Sequence, residues 1–372
     1  MLLLSYSIGT IALPGLGSRL SIVFGPLVSA MLLFFPGALL LGTLSPYAVK
    51  LQTIRIGEQN VGSAAGGIFF WSTLGSISGS LSAGFVLIPH FGIDRILIAN
   101  GVVLSALGLV PLLFLSNGKK RASLLVIAFT CVLGTAIFAA RHARRDALYV
   151  NDGVYQKIAI YDGEYNGRPT RFFQQDQNSA GAGEGAMFLD SDDPADLVYD
   201  YTRYYSLYKL FTPHMENALV IGGGAYSVPK AILKELPQAT VDVVDIEPSL
   251  LSLGKQYFRL PDSPRLRNHV EDGRRFLRNS STQYDLIFSD VYYSFFSVPP
   301  HFATKEFFAI AKEKLAPNGI FVANMIGDLS RQPRSLVMSV IKTFQTVFPN
   351  RYVFAVSWPE KTASQNIMLV GY

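Results

Sequence analysis

Apolar and polar positions split the chain into two parts that obey different rules. In the first part, stretches without Asp, Glu, Lys or Arg run over 20–49, 59–93, 96–118 and 122–140. Each is long enough to cross about 30 Å of hydrocarbon as a helix, which takes roughly 20 residues. The pattern predicts helices near 22–44, 64–89, 94–115 and 122–140. Residues 1–14 are apolar too, but short and interrupted by Gly9 and Pro14. No Lys or Arg precedes that run, so it reads as a partial span or the remnant of a longer membrane domain rather than a signal peptide. The stretch 64–89 is rich in glycine and serine, including Gly66, Ser72, Gly75, Ser76, Gly79 and Ser80. That composition lets helices pack closely in lipid. Ionisable residues inside spans usually mark transport routes, and the interiors of these spans have none.

The second part alternates on a shorter period. The boundary falls near Arg141–Arg145, which divides the chain into a transmembrane helical domain of four to five helices (1–145), a small β-rich part with one helix (146–215) and a larger α/β domain (216–372). YQKIAIYD and PTRFFQQD read as short strands around a turn at Gly163–Gly167. Residues 178–187, NSAGAGEGAM, read as a flexible glycine-rich loop, and Asp192–Leu210 as a helix. From 218, strands are expected near 218–222, 240–246, 266–271, 284–290 and 319–326. Helices are expected near 227–236, 248–258, 273–279, 302–315 and 333–347. RYVFAVS and QNIMLVGY end the chain as two more strands. Alternating βα units imply a parallel sheet with helices on both faces. The last strand, reached through a short connection, should run antiparallel. The fold class is therefore α/β: a Rossmann-like, seven-stranded sheet, preceded by a small β region and an α-helical transmembrane domain.

Charge sharpens this division. Residues 1–140 carry seven Lys/Arg against two Asp/Glu, whereas 141–372 carry twenty-five of each. The whole net charge of +5 thus comes from the first part. It fits loops flanking membrane helices and gives no reason to invoke nucleic acid. The basic residues divide five against five between the two sides of the membrane, so they leave the orientation open. The single cysteine, Cys131, allows no disulfide within the chain.

The chemistry concentrates in residues 218–247, ALVIGGGAYSVPKAILKELPQATVDVVDIE. An apolar strand ends in Gly222-Gly223-Gly224, a helix follows, and a second apolar strand ends at Asp245, 21 residues beyond Gly224. Glycines let the backbone approach a ligand, and a helix N-terminus stands behind them. An acidic residue at that distance meets ribose hydroxyls. Asp245, Asp272 and Asp290 all fall at carboxyl ends of expected strands, where open α/β sheets bind ligands. Asp272, followed by Gly273, also suits a helix N-cap. His214, His269 and His301 have no metal-ligand spacing, so no metal is expected. No G-x-S-x-G nucleophile motif is present.

VIGGGAYSVP, VDVVDIEPSLLSLGKQYF, RLRNHVEDGRRFL, YDLIFSD, SVPPHFATKEFF and LAPNGIFVAN occur in order. Together they resemble the spermidine synthase (polyamine aminopropyltransferase) family, most closely its membrane-fused branch. The strand count likewise resembles the sheet of S-adenosylmethionine-dependent transferases. The resemblance implies that Gly222 and Gly224 shape the donor loop, Asp245 binds ribose, Asp272 meets the adenine amino group and Asp290 is the general base. It implies aminopropyl transfer from decarboxylated S-adenosylmethionine to an amine or polyamine, with Val291–His301 as a flexible lid. The implied partners are that amine and the lipid bilayer, with a homodimer left open. The C-terminal domain is expected on the cytoplasmic side of a multi-pass membrane protein, because the donor is made there. Three positions depart from the family pattern: Ala225 replaces an Asp, Tyr293 replaces a second acid, and Tyr199-Asp200 replaces a Tyr-His pair. Tyr199, Asp200 and Tyr293, with Tyr201 and Tyr292, are candidates for an altered amine site. Ala225 keeps open methyl or aminocarboxypropyl transfer from intact S-adenosylmethionine. The missing acids keep open a non-catalytic sensor of nucleoside or polyamine.

Overall fold

In a computed structural model, the described residues are 24–91, 93–109, 147–152, 155–175, 184–212, 214–292, 298–329, 336–358 and 364–372. The chain divides into two compact units, Met1–Arg145 and Asp146–Tyr372.

In the first unit, α1 (Phe24–Ile56) leads through a 3-10 turn at Glu58–Asn60 into α2 (Val61–Ser82). A π-helical turn at Ala83–Leu87 continues into α3 (Ile88–Phe91), and α4 follows at Ile93–Leu109. Two stretches, Phe24–Ile56 and Glu58–Phe91, are long and apolar enough to cross a membrane. Their large side chains point outward within this unit: Phe34 and Trp71 are 69% exposed and Phe85 is 78% exposed. Helix α1 runs twelve residues past its expected end at 44, through Lys50 and Arg55. Straight-chain Lys and Arg lose little rotamer freedom in a helix, so the first charge after an apolar run does not mark the helix end. The expected span 94–115 is helical over Ile93–Leu109. Its remainder, the expected span 122–140 and residues 1–14 lie outside the described residues.

The second unit opens with a four-stranded antiparallel sheet in the order β1 (Ala147–Asp152), β2 (Lys157–Tyr165), β3 (Arg168–Gln175), β4 (Gly185–Phe188). The β2–β3 turn is tighter than expected. Tyr165 pairs with Arg168, leaving Asn166 (φ 52°) and Gly167 (φ 78°) as a two-residue loop. Two successive positive φ angles are what an Asn-Gly hairpin turn requires. Gly163 lies inside β2, where its bare Cα accommodates the Phe172 ring. The expected loop 178–187 is also corrected, because Gly185–Met187 belong to β4; residues 176–183 lie outside the described residues. The expected helix 192–210 is a 3-10 helix confined to Asp200–Leu210. Ahead of it, Asp193 Oδ1 accepts from the Ala195 backbone N–H at 2.8 Å, a local bond that competes with helix formation.

The large sheet has seven strands in the order β10-β11-β9-β8-β5-β6-β7. Here β5 is Asn217–Ile221, β6 Thr240–Asp245, β7 Leu266–Val270, β8 Tyr284–Ser289, β9 Leu315–Gly327, β10 Arg351–Ala355 and β11 Gln365–Gly371. Strands β7, β6, β5, β8 and β9 are parallel neighbours, and β11 runs antiparallel to both β9 and β10, as its short connection requires. Side chains alternate between two cores. Ala218 and Val220 of β5 face one, with Val228, Ala231 and Ile232 of α5 (Ser227–Glu235) and Leu250 and Leu253 of α6 (Leu250–Tyr257). Leu219 and Ile221 face the other, with Leu277 of α7 (Gly273–Asn279), Phe307 and Phe308 of α8 (Lys305–Glu313) and Phe344 of α9 (Leu336–Gln345). From β5 the chain passes to β6 and β7 on one side, then returns to β8 on the other. That reversal opens a crevice at the carboxyl ends of β5 and β8, the usual ligand position in such sheets.

Candidate active site

Gly222 and Asp290 meet at this crevice. The Asp290 backbone N–H donates to Ile221 O at 2.8 Å. Gly222 has φ 99°, and a Cβ there would collide with the Asp290 carbonyl oxygen. Only glycine serves at that position, by conformation and by space. The loop next to it is tied to β6: Asp245 Oδ2 accepts from Gly223 N at 2.7 Å and Oδ1 from Glu247 N at 2.9 Å. A carboxylate offers about four lone-pair sites, so both oxygens keep capacity for ribose hydroxyls. Burial pushes the Asp245 carboxyl up, against the pull of its backbone donors.

Asp272 serves as the N-cap of α7, its Oδ1 accepting from Arg275 N at 2.8 Å. Its Oδ2 lies 3.0 Å from His301 Nε2. Arg274 Nη1 donates to the His301 carbonyl at 3.0 Å. The C-terminal end of the expected lid is thus anchored to α7. Val291 and Tyr292, at the other end, line the cavity; residues 293–297, Tyr293 among them, lie outside the described residues.

Asp290 occupies the far side of the loop. Asn324 Nδ2 donates to its Oδ1 at 2.9 Å, and Tyr201 OH donates to its Oδ2 at 3.0 Å. Each bond to a charged group contributes about 1.5–3 kcal/mol, whereas burying an ionised carboxylate costs several kcal/mol. Burial wins, and the Asp290 carboxyl is held above the usual carboxylate range. The Tyr292 hydroxyl is buried and makes no hydrogen bond among the described residues. Burial and the nearby Asp290 push it well above the usual tyrosine range. Tyr199 stacks on Tyr201 with ring centroids 6.1 Å apart.

These groups surround one cavity of about 510 Å³. Gly222, Gly224, Asp245, Asp272, Asp290, Tyr199 and Asp200 all line it. Asp200 is mostly turned to solvent, 3.3 Å from Arg203 Nη1. The described lining holds five carboxylates (Glu184, Asp200, Asp245, Asp272 and Asp290), one histidine and no Lys or Arg. Ala225 is buried against Gly185, which places the neighbouring Glu184 beside the glycine loop. Sequence reasoning missed Glu184, Asn324 and Asn366. The available signal for both asparagines was a polar residue inside an otherwise apolar core strand.

The spermine/spermidine synthase domain profile matches residues 206–371. A polyamine aminopropyltransferase from Vibrio vulnificus (strain CMCP6) is 26% identical over 226 residues, covering 59% of this chain and 71% of that protein. The human eEF1A lysine and N-terminal methyltransferase is 31% identical over 147 residues, covering 36% of this chain and 20% of that protein. The crystal structure of a probable spermidine synthase from Corynebacterium glutamicum ATCC 13032 superposes with a TM-score of 0.52 at 22% identity, covering 60% of this chain and 79% of that one. At that identity the likeness speaks for the fold. Residues 206–371 of the C-terminal unit are thus similar to spermine/spermidine synthase domains and to polyamine aminopropyltransferases.

Proposed function

We propose that this protein transfers the aminopropyl group of decarboxylated S-adenosylmethionine to a small amine, from a C-terminal unit anchored to a membrane by the helical unit. The observation that carries the reading is the charge of the cavity: five carboxylates and no Lys or Arg among its described lining. The decarboxylated donor bears a sulfonium and an ammonium, and the acceptor is an amine, so both ligands are cationic. Intact S-adenosylmethionine adds a carboxylate, which this lining would repel. Glu184, beside Ala225, supplies negative charge near the glycine loop.

Each residue has a role in this reading. Gly222 gives the space in which backbone meets nucleoside. Asp245 accepts from the ribose hydroxyls, and Asp272 faces the adenine. Asp290 holds the attacking nitrogen and accepts its proton. A carbon–nitrogen bond forms at the propyl carbon while the carbon–sulfur bond breaks. The electron pair stays on sulfur, which leaves as the neutral thioether methylthioadenosine. Much of the remaining acceleration comes from holding amine and propyl carbon in line. Membrane anchoring is supported by the two long apolar stretches, Phe24–Ile56 and Glu58–Phe91.

A second reading, methyl transfer from intact S-adenosylmethionine, is favoured by the human methyltransferase relative. Mass spectrometry of products from the full chain in lipid nanodiscs, with either donor and a panel of amines, separates the two. Aminopropylated amine together with methylthioadenosine is the expected result. Methylated product, or no aminopropylated product from any amine, overturns the proposal.

A further inference from the structure

Behind Asp290 stand two carboxamides. Asn324 donates Nδ2 to Asp290 Oδ1 at 2.9 Å, and Asn366 donates Nδ2 to Asn324 Oδ1 at 3.0 Å. Asn324 is 4% exposed, in a strand whose neighbouring positions are apolar. Asn366 lies on β11, opposite Ile326 in the register, and lines the cavity. The direction of this chain of bonds is forced. In its ionised form, the one a base needs, the Asp290 carboxylate only accepts, so Asn324 must then present its nitrogen to Asp290. Its oxygen then faces Asn366, which must present a nitrogen in turn. Reversing either amide would set two oxygens, or two N–H groups, against each other. On the opposite side, Tyr201 donates to the other carboxylate oxygen. Two elements distant in sequence, the 3-10 helix and β9, thus each fix one oxygen of Asp290, and β11 fixes the second of them.

We propose that Asn324 and Asn366 are positioning residues, an ordered pair of carboxamides through which the last strand of the sheet sets the orientation of the Asp290 carboxylate toward the attacking amine. The inference rests on the aminopropyltransferase reading for the identity of the reaction. A carboxylate torsion is broad and roughly two-fold when unrestrained, so loss of the pair lets the acceptor oxygen swing away from the nitrogen. Small misplacements of a reacting group cost large factors in rate. The antiparallel closing strand therefore does more than complete the sheet.

The test uses the full chain in nanodiscs, with Asn324→Leu, Asn366→Leu and the double variant, each in the wild-type and the Asp290→Asn background. Steady-state rates are measured with decarboxylated S-adenosylmethionine and putrescine. Putrescine binding is measured by calorimetry with methylthioadenosine bound. Asn366→Leu should lower kcat by about tenfold, as for loss of a bond to a charged network, with donor affinity unchanged. The double variant should lose no more than Asn324→Leu alone, because the residues act in series. Neither change should matter once Asp290 is Asn. Asn366→Asp, nearly isosteric and unable to donate to Asn324, should reproduce the loss if Asn366→Leu fails to fold. Additive losses, or equal losses in the Asp290→Asn background, overturn the pair. Binding that weakens with Asn366→Leu only when Asp290 is present, without any product, keeps the pair and refutes the transferase reading. Product formed at rates indifferent to Asn324 and Asn366 does the reverse. Neither binding nor product from the wild type refutes both.

Discussion

Asp290→Asn is the perturbation whose size the structure defines best. The side chain keeps its shape. Its new amide oxygen can still accept from Asn324 Nδ2, now 2.9 Å from Asp290 Oδ1. Its new NH2 faces Tyr201, whose hydroxyl also lies 3.2 Å from the Glu184 carbonyl and can turn its proton there. All hydrogen bonds are therefore preserved, and only the charge is lost. The sign for stability follows. The folded carboxyl titrates above its unfolded value because burial disfavours the charge, so the native protein loses stability as pH rises from the ordinary carboxylate range through the raised one. The variant lacks that loss and should be at least as stable at pH 7. Turnover is the opposite case. A positioned general base contributes about 10²–10⁴-fold, or about 3–5 kcal/mol of barrier. Methylthioadenosine release should fall by that factor, while calorimetry of donor binding changes little. The wild-type acid limb of kcat/KM should lie above the usual carboxylate range and vanish in the variant. Undiminished turnover would place the base elsewhere.

Two other perturbations follow. Asp245→Ala removes the acceptor that holds the glycine loop through Gly223, together with the proposed ribose contact; donor affinity should drop by about ten- to a hundredfold, and an unaltered calorimetric affinity would remove that assignment. Lys230 is buried, with Nζ donating to Phe258 O at 2.6 Å, and burial pushes it down to about 8 from 10.5. Between those values the unfolded chain binds a proton that the folded chain does not, so stability should rise with pH by about 3 kcal/mol at most. Thermal unfolding from pH 8 to pH 9, below the ordinary tyrosine value of about 10, should show part of that rise in the wild type and lose it in Lys230→Met; equal slopes would contradict the assignment.

The large sheet was legible because most of its strands are apolar runs, with a helix between each successive pair from β5 to β10. The strand ends at Ile221, Asp245 and Ser289 fall within a residue of where the pattern stops. Three acids at strand tips line one cavity, as the topology demands once β5 and β8 are neighbours. The small sheet was less legible. Gly163 and Gly167 look alike in sequence, but only Asn166-Gly167 makes the turn, and Gly163 yields to an aromatic ring across the strand. Helix α1 overran its expected end because charge and helix termination are separate properties. Asn324 and Asn366 were missed because their partners are 34 and 42 residues away, and no local pattern encodes a contact at that range.

The most direct test of the central claim, that a cavity whose described lining is acidic and holds no Lys or Arg selects a wholly cationic donor, is a pair of calorimetric titrations of the full chain in nanodiscs. Decarboxylated S-adenosylmethionine should bind at least tenfold more tightly than intact S-adenosylmethionine, a difference of about 1.4 kcal/mol or more. Equal affinity, or tighter binding of the intact compound, would contradict it.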